Sequence, residues 1–197
     1  MKNKQLIFNS FPRSGNVYSQ KVSFFMINCQ VATVHIPQIF GVEDLNQVTL
    51  FRKPVDAIAS LIYKQNPDQI IEDRFIINNA EKEVEHYREY IKYATMHHDK
   101  IYIGRFDDLA NDPVGHFKDI AKRFDYLILP RCEENVLNIP RTLTDNLWTD
   151  EYDGHYPRNK SDQRQRIEEV LAPCSFLEEL RLEAEEFLAK YQTKLSL

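Results

Sequence analysis

No stretch of the 197-residue chain approaches the roughly 18 uncharged apolar residues that a membrane span requires. The opening MKNKQLIFNSFPRSG has too short an apolar run, and no small-residue cleavage site, for a signal peptide, so none is expected. Cysteine is scarce: Cys29, Cys132 and Cys174 are odd in number, widely spaced and form no CxxC pair. That argues against a disulfide framework or a zinc site and fits a reducing, cytoplasmic setting. Positive charge is not in surplus either, with 25 Lys and Arg against 30 Asp and Glu and a net charge of −5. Broad electrostatic attachment to nucleic acid or to an anionic membrane is therefore not expected. An anion bound here must be held by a few placed cations and backbone amides. Missing too is GxxxxGK[ST], which excludes a Walker A loop. What remains is an ordinary globular composition, 43% apolar and 28% charged. The length suits one domain over residues 1–197, with no internal repeat and no low-complexity linker.

Strand and helix patterns alternate along the chain. QLIFN (5–9) is a short apolar run ending in SFPRSG, after which Tyr18, Val22, Phe25, Met26 and Cys29 recur at helical spacing. VATVHI (31–36) and QVTLF (47–51) read as the second and third strands. Pro54 suits the first turn of a helix whose buried stripe is Val55, Ile58, Ala59 and Ile62. A long helix is expected over about 79–97, carrying Val84, Tyr87, Ile91 and Ala94, and KIYIGRF (100–106) is the clearest fourth strand. Asp112-Pro113 predicts an N-cap and first-turn proline, with Val114, Phe117, Ala121 and Phe124 facing inward. Residues 130–162 show no strong period, and about 163–193 reads as helical. Such alternation predicts an α/β fold: a three-layer sandwich with a small, mostly parallel sheet of about four or five strands and C-terminal helices. Ligands in such folds sit beyond the carboxyl ends of the strands.

The unusual residues lie at those ends. FPRSGNVY (11–18) joins a strand to a helix N-terminus, where unpaired amides and the helix dipole favour an anion. Gly15 permits close backbone approach and Arg13 offers a guanidinium fork. The same residues equally describe an arginine in an ordinary turn. In LFRKPVDAIASL (50–61), Arg52 sits at a strand end and Ser60 is turned away from the stripe, where the pair could clamp a second phosphate or be solvated.

The two segments in this order resemble the PAPS-dependent sulfotransferases. FPRSGNVY is similar to that family's P-loop-like 5′-phosphosulfate loop, usually YPKSGTTW. FRKPVDAIAS resembles its 3′-phosphate segment, R-x-P-x-D-x-x-x-S, VHIP (34–37) its THLP, and GRFDDLANDP (104–113) its YEDL-xxxP element. The resemblance covers about residues 6–125 and implies a single sulfotransferase domain. It also implies transfer of a sulfuryl group from 3′-phosphoadenosine 5′-phosphosulfate (PAPS) to an acceptor, with PAP as product and no metal. It places Arg13 at the leaving phosphate and Ser14, Gly15, Asn16 and Val17 around the phosphosulfate. Tyr18 would stack on adenine, in place of the usual tryptophan. Arg52 and Ser60 would hold the 3′-phosphate, and His35 would act as general base, a role that imidazole chemistry suits. A strand histidine satisfied by a core hydrogen bond is the alternative, and Glu43 or Asp44 would then be the candidate base.

The departures are specific. Asn16 and Val17 replace paired threonines, Thr33 stands where a lysine often precedes the histidine, and Phe106 occupies the position of a tyrosine beside the nucleotide. The late RKG motif is absent. Arg158 and Lys160 in GHYPRNK (154–160) sit about where it should be, and with Arg164 and Arg166 they equally describe a solvated charged face. Tyr87, Tyr90 and Tyr93 fit an aromatic face packed on the core better than an acceptor pocket, and His97 and His98 point to different helix faces. Arg13 and Arg52 are 39 residues apart (52 − 13), short for cytosolic members, which predicts an open site for a small hydroxylated acceptor such as a phenol or sugar. A PAPS- or PAP-binding module without turnover is the second reading, and a kinase the third. The acceptor and the oligomeric state have no sequence signature.

Overall fold

Four short β-strands have side chains suited to burial on both faces, and helices cover both. The computed structural model describes residues 5–37, 45–66, 71–134, 136 and 162–193. In chain order these form β1 (Leu6–Asn9), α1 (Asn16–Met26), β2 (Val31–Val34), β3 (Asn46–Phe51), α2 (Pro54–Gln65), α3 (Asp73–Met96), β4 (Tyr102–Arg105), α4 (Phe106–Asn111), α5 (Pro113–Phe124), α6 (Asp162–Leu171) and α7 (Ser175–Tyr191). The strands pair in the order β2-β1-β3-β4, all parallel, with Leu6 opposite Val31 and Asn46, and Val48 opposite Tyr102.

Alternation along the strands divides the interior in two. Leu6, Phe8, Val48, Leu50 and Tyr102 face α1, α4 and α5, where Val22, Met26, Leu109 and Phe117 complete one core. Phe51, Ile101 and Ile103 face α2, α3, α6 and α7, where Ile58, Ile62, Tyr87, Tyr90, Leu171 and Phe187 form the other. The outcome is the expected three-layer α/β sandwich. On the second face the buried pair Gln47 and Thr49 is tied in by hydrogen bonds: Gln47 donates to Thr49 Oγ1 at 3.3 Å and accepts from the Tyr93 hydroxyl at 2.9 Å. The blander reading of the three helix tyrosines holds, since Tyr87, Tyr90 and Tyr93 are all core residues.

Several boundaries move for identifiable reasons. Helix α3 starts at Asp73 rather than about 79, because Ile76 and Ala80 extend the stripe of Val84 and Tyr87 at helical spacing. The helical segment expected over about 163–193 forms two helices, interrupted at Pro173, which lacks an amide hydrogen and clashes with the preceding turn. The second and fourth strands are shorter than expected, and Phe106 already begins α4. The Asp112 cap forms as predicted, its carboxylate accepting from the Gly115 amide at 2.8 Å. Most of 130–162 lies outside the described residues. At the far edge of the sheet, Ile103 donates its amide to Thr193 Oγ1 at 3.0 Å and accepts the Thr193 amide at 2.9 Å. Among the described residues no helix is long and apolar enough to cross a membrane.

Candidate anion and transfer site

The chain leaves β1 for β2 on one side and returns to β3 on the other, so the loops after β1 and β3 diverge to opposite faces. The crevice between them is the topological switch point, where open α/β sheets bind ligands. Two adjacent polar residues sew this crevice together. Asn9 Oδ1 accepts the Ile36 amide at 3.2 Å, holding the end of β2. Ser10 Oγ accepts the Leu50 amide at 2.7 Å, holding β3 beyond the last β1–β3 rung. Phe11, 1% exposed, then drops into the second core against Tyr87 and Tyr90.

The next residues turn sharply. Arg13 has φ 68° and Gly15 φ 93°, both left-handed, and the Ser14 amide donates to the Phe11 carbonyl at 3.1 Å between them. Ser19 makes the first intrahelical bond of α1, to Gly15 at 2.8 Å, so the amides of the first turn have no intrahelical acceptor. Alternating backbone signs of this kind make a concave anion-binding nest. The Ser14 hydroxyl is buried there without a hydrogen-bond partner.

Cations gather around the turn. Arg13 Nε donates to Ser60 Oγ at 3.0 Å, and Arg52 Nη1 donates to the Arg13 carbonyl at 3.2 Å. Arg52 is fixed further by its own carbonyl, which accepts the Tyr87 hydroxyl at 2.6 Å, and by the Phe106 ring 5.0 Å beneath its guanidinium. Burial, then the charges of Arg52 and Arg164, bring Arg13 down to about 10. Burial and then Arg164 also lower Arg52, with partial relief from Asp56, Asp107 and Glu168. Arg13 still carries its charge at neutral pH. Like charges gathered in a partly buried place make it a candidate site for an anion.

Arg164 is the residue that sequence reasoning passed over. It is 6% exposed on α6 and pairs with Glu168 at 3.2 Å. It reaches the cluster because α6 packs on α2, a contact that no local pattern announces. Ser60, turned away from the stripe and read either as a phosphate contact or as solvated, is 1% exposed, since α2 packs on α3, α6 and α7. Arg166 takes a structural part instead, donating to the Ile71 carbonyl and to Asp73, both at 2.6 Å.

His35 follows β2 on the exposed rim, with Nδ1 3.0 Å from the Ser10 carbonyl and 3.3 Å from Asn16 Nδ2. It is thus not a core histidine, and it shares a strand end with the turn. Asn16 is 2% exposed, its side chain directed at the strand ends. Tyr18 is half-buried and packs on the first core, and Phe106 is buried against Gly15 and Arg52. Glu43, Asp44, Arg158, Lys160 and the side chain of Val17 lie outside the described residues. Among the described residues no group of three or more His, Cys, Asp or Glu could hold a metal ion.

No protein-family description matches the chain. No curated protein matches it in sequence. Solved structures match it in fold. The chain is similar to mouse sulfotransferase SULT7A1, whose crystal structure is a complex with PAP, with a TM-score of 0.55 at 10% identity. The similarity spans 100% of this chain and 87% of that one. At that identity the likeness establishes a sulfotransferase-like fold.

Proposed function

We propose that this protein transfers a sulfuryl group from PAPS to a hydroxyl of a small acceptor. The observation that carries the reading is the clustering of Arg13, Arg52 and Arg164 at the α1 N-terminus, over the switch point of the sheet. PAPS has two well-separated anionic groups, and this arrangement offers a backbone nest for one and converging guanidinium groups for the other. The PAP complex of the mouse protein of similar fold supports the same assignment.

In this reading the 5′-phosphosulfate lies on the amides of Gly15, Asn16 and Val17 and on the Ser14 hydroxyl, the Ser14 amide being held by the Phe11 carbonyl. Arg52 and Arg164 hold the 3′-phosphate, and Ser60 aims Arg13 at the bridging oxygen. The adenine is placed by Tyr18 and the Phe106 side of the crevice. His35 Nε2 takes the acceptor's proton as its oxygen bonds to sulfur. The bond from sulfur to the 5′-phosphate oxygen breaks, and Arg13 neutralises the charge that PAP carries away. Arginine serves here as an electrostatic stabiliser, because it does not readily give up a proton.

Thermal unfolding with PAP, with adenosine 5′-phosphosulfate and with ATP tests the reading. A ligand at about 100 times its dissociation constant stabilises by roughly 2.7 kcal/mol. PAP is expected to raise the Tm and adenosine 5′-phosphosulfate to do so less, because it lacks the 3′-phosphate. A response to ATP and none to PAP overturns the proposal in favour of a kinase. PAP binding combined with no sulfuryl transfer to any of a panel of phenols and sugars would leave a nucleotide-binding module.

A further inference from the structure

Helix α2 carries a series of polar positions along its length. Arg52 stands just before it, at the end of β3. Ser60 lies nearly two turns in, where its hydroxyl accepts from Arg13 Nε at 3.0 Å. Arg13 belongs to the turn after β1, the neighbour of β3 in the sheet. Lys64 follows Ser60 by four residues, so it shares that side of the helix about 6 Å further along the axis. It therefore stands beyond Arg13 as seen from Arg52, and there the side chain is exposed.

A lysine in a last helical turn commonly serves the carbonyl end of the helix dipole, and Lys64 is in the last turn of α2. That role asks for no second cation nearby, and here one is present. Partial burial, and after it the charge of Arg13, lower the Lys64 pKa from the ordinary lysine value. Asp56, Asp107 and Glu168 relieve Arg52, but among the described residues no carboxylate pairs with Lys64. A cation is held beside a cation, and an arriving anion offsets the repulsion.

The consequence rests on the sulfotransferase reading, in which Arg52 and Arg164 hold the 3′-phosphate and Arg13 meets the bridging oxygen. Beyond Arg13 from the 3′-phosphate comes the sulfuryl group, and then the acceptor that receives it. We infer that Lys64 is an acceptor-binding residue and that the acceptor is itself an anion, a small hydroxylated acid. A compact ammonium on a flexible stem suits a point contact with a carboxylate, where a guanidinium fork would impose one geometry. Such an acceptor meets Lys64 with its acid group while its hydroxyl faces the sulfur. A cationic amine is repelled.

Calorimetry on the full chain, titrated first with PAP, tests this with matched pairs: 4-hydroxybenzoate against its methyl ester, and glucuronate against glucose. The PAP-loaded wild type should bind at least one acid about tenfold more tightly than its neutral partner. Added salt should shrink that preference, because it is a charge interaction. Lys64→Gln should bring the two members of the pair within about threefold, and Lys64→Arg should keep most of the difference. Equal affinity for acid and neutral partner in the wild type, or no binding of either acid, overturns the inference. So does a preference that survives Lys64→Gln. A tenfold loss of PAP affinity in Lys64→Gln overturns it too, by making Lys64 a nucleotide ligand. The first titration keeps the two readings apart. If the wild type fails to bind PAP, the sulfotransferase reading falls and this inference with it, whereas PAP binding without an acid preference removes the acceptor assignment alone.

Discussion

A side-chain carbon added to Gly15 would stand 2.4 Å from Cδ2 of Phe106. The glycine is required twice, by that contact and by its φ of 93°, which costs an L-residue about 1–2 kcal/mol. Phe106 in turn carries the Arg52 guanidinium on its ring. Gly15→Ala should therefore push Phe106 aside and disturb Arg52, lowering both stability and PAP affinity. Phe106→Leu in the same chain should recover part of the loss by making room for the methyl group. Urea unfolding of the two single variants and the double variant measures this, and strict additivity would mean the two residues are not coupled.

Ser60→Ala removes the acceptor of the Arg13 Nε hydrogen. Hydrogen bonds to charged groups contribute about 1.5–3 kcal/mol, so a loss of that order is expected in urea unfolding. If Ser60 acts by aiming Arg13, turnover should fall more than PAP affinity does. An affinity loss equal to the turnover loss would place Ser60 on the nucleotide instead.

Arg164→Gln tests whether α6 belongs to the site. PAP affinity should fall about tenfold, the effect of losing roughly 1.4 kcal/mol of charge interaction. The salt dependence of binding should become shallower, because one fewer cation is screened. Unchanged affinity across salt concentrations would return Arg164 to a purely structural pairing with Glu168.

His116 gives the fold an acid-sensitive point away from the site. Its ring is packed against Tyr102, with Nε2 buried and unpartnered, and burial lowers its pKa to about 4, with Asp112 opposing. The unfolded chain takes up this proton near pH 6.5 and the folded one near 4. Stability from keeping His116 neutral is thus fully present above about 6.5 and is lost as pH falls to about 4. The loss amounts to about 3 kcal/mol as an order of magnitude. His116→Phe should flatten that part of the stability–pH curve in urea unfolding, and an unchanged curve would assign the acid sensitivity elsewhere.

Much of this architecture is legible in the chain because local chemistry and tertiary role agree. The β1–α1 turn carries its own instructions in Gly15, and the α5 cap carries its own in Asp112. The alternation of strand and helix patterns implies the parallel sheet. What the sequence conceals comes from packing between distant elements. Nothing near Arg164 distinguishes it from Arg166, yet one is buried among cations and the other holds Asp73 at the surface. Ser60 is turned from its own helix's apolar stripe, and only packing between elements distant in sequence buries it, with Arg13 against its hydroxyl. Asn9 and Ser10 carry no motif of their own, although a polar pair at the end of an otherwise apolar strand is a signal that could have been followed.

The turn after β1 is rooted on both sides of the sheet: Phe11 in the core of α2 and α3, and Gly15 against Phe106 in the core of α1 and α4. Opening it would require one of those cores to loosen, so the turn shares the stability of the whole fold instead of moving as a surface loop. A ligand arriving there meets donors already in place and loses little affinity to ordering the chain. Preorganisation of this kind also leaves the turn little room to adapt to a differently shaped anion, so if the proposed nucleotide binds there, selectivity is set by rigidity as much as by charge.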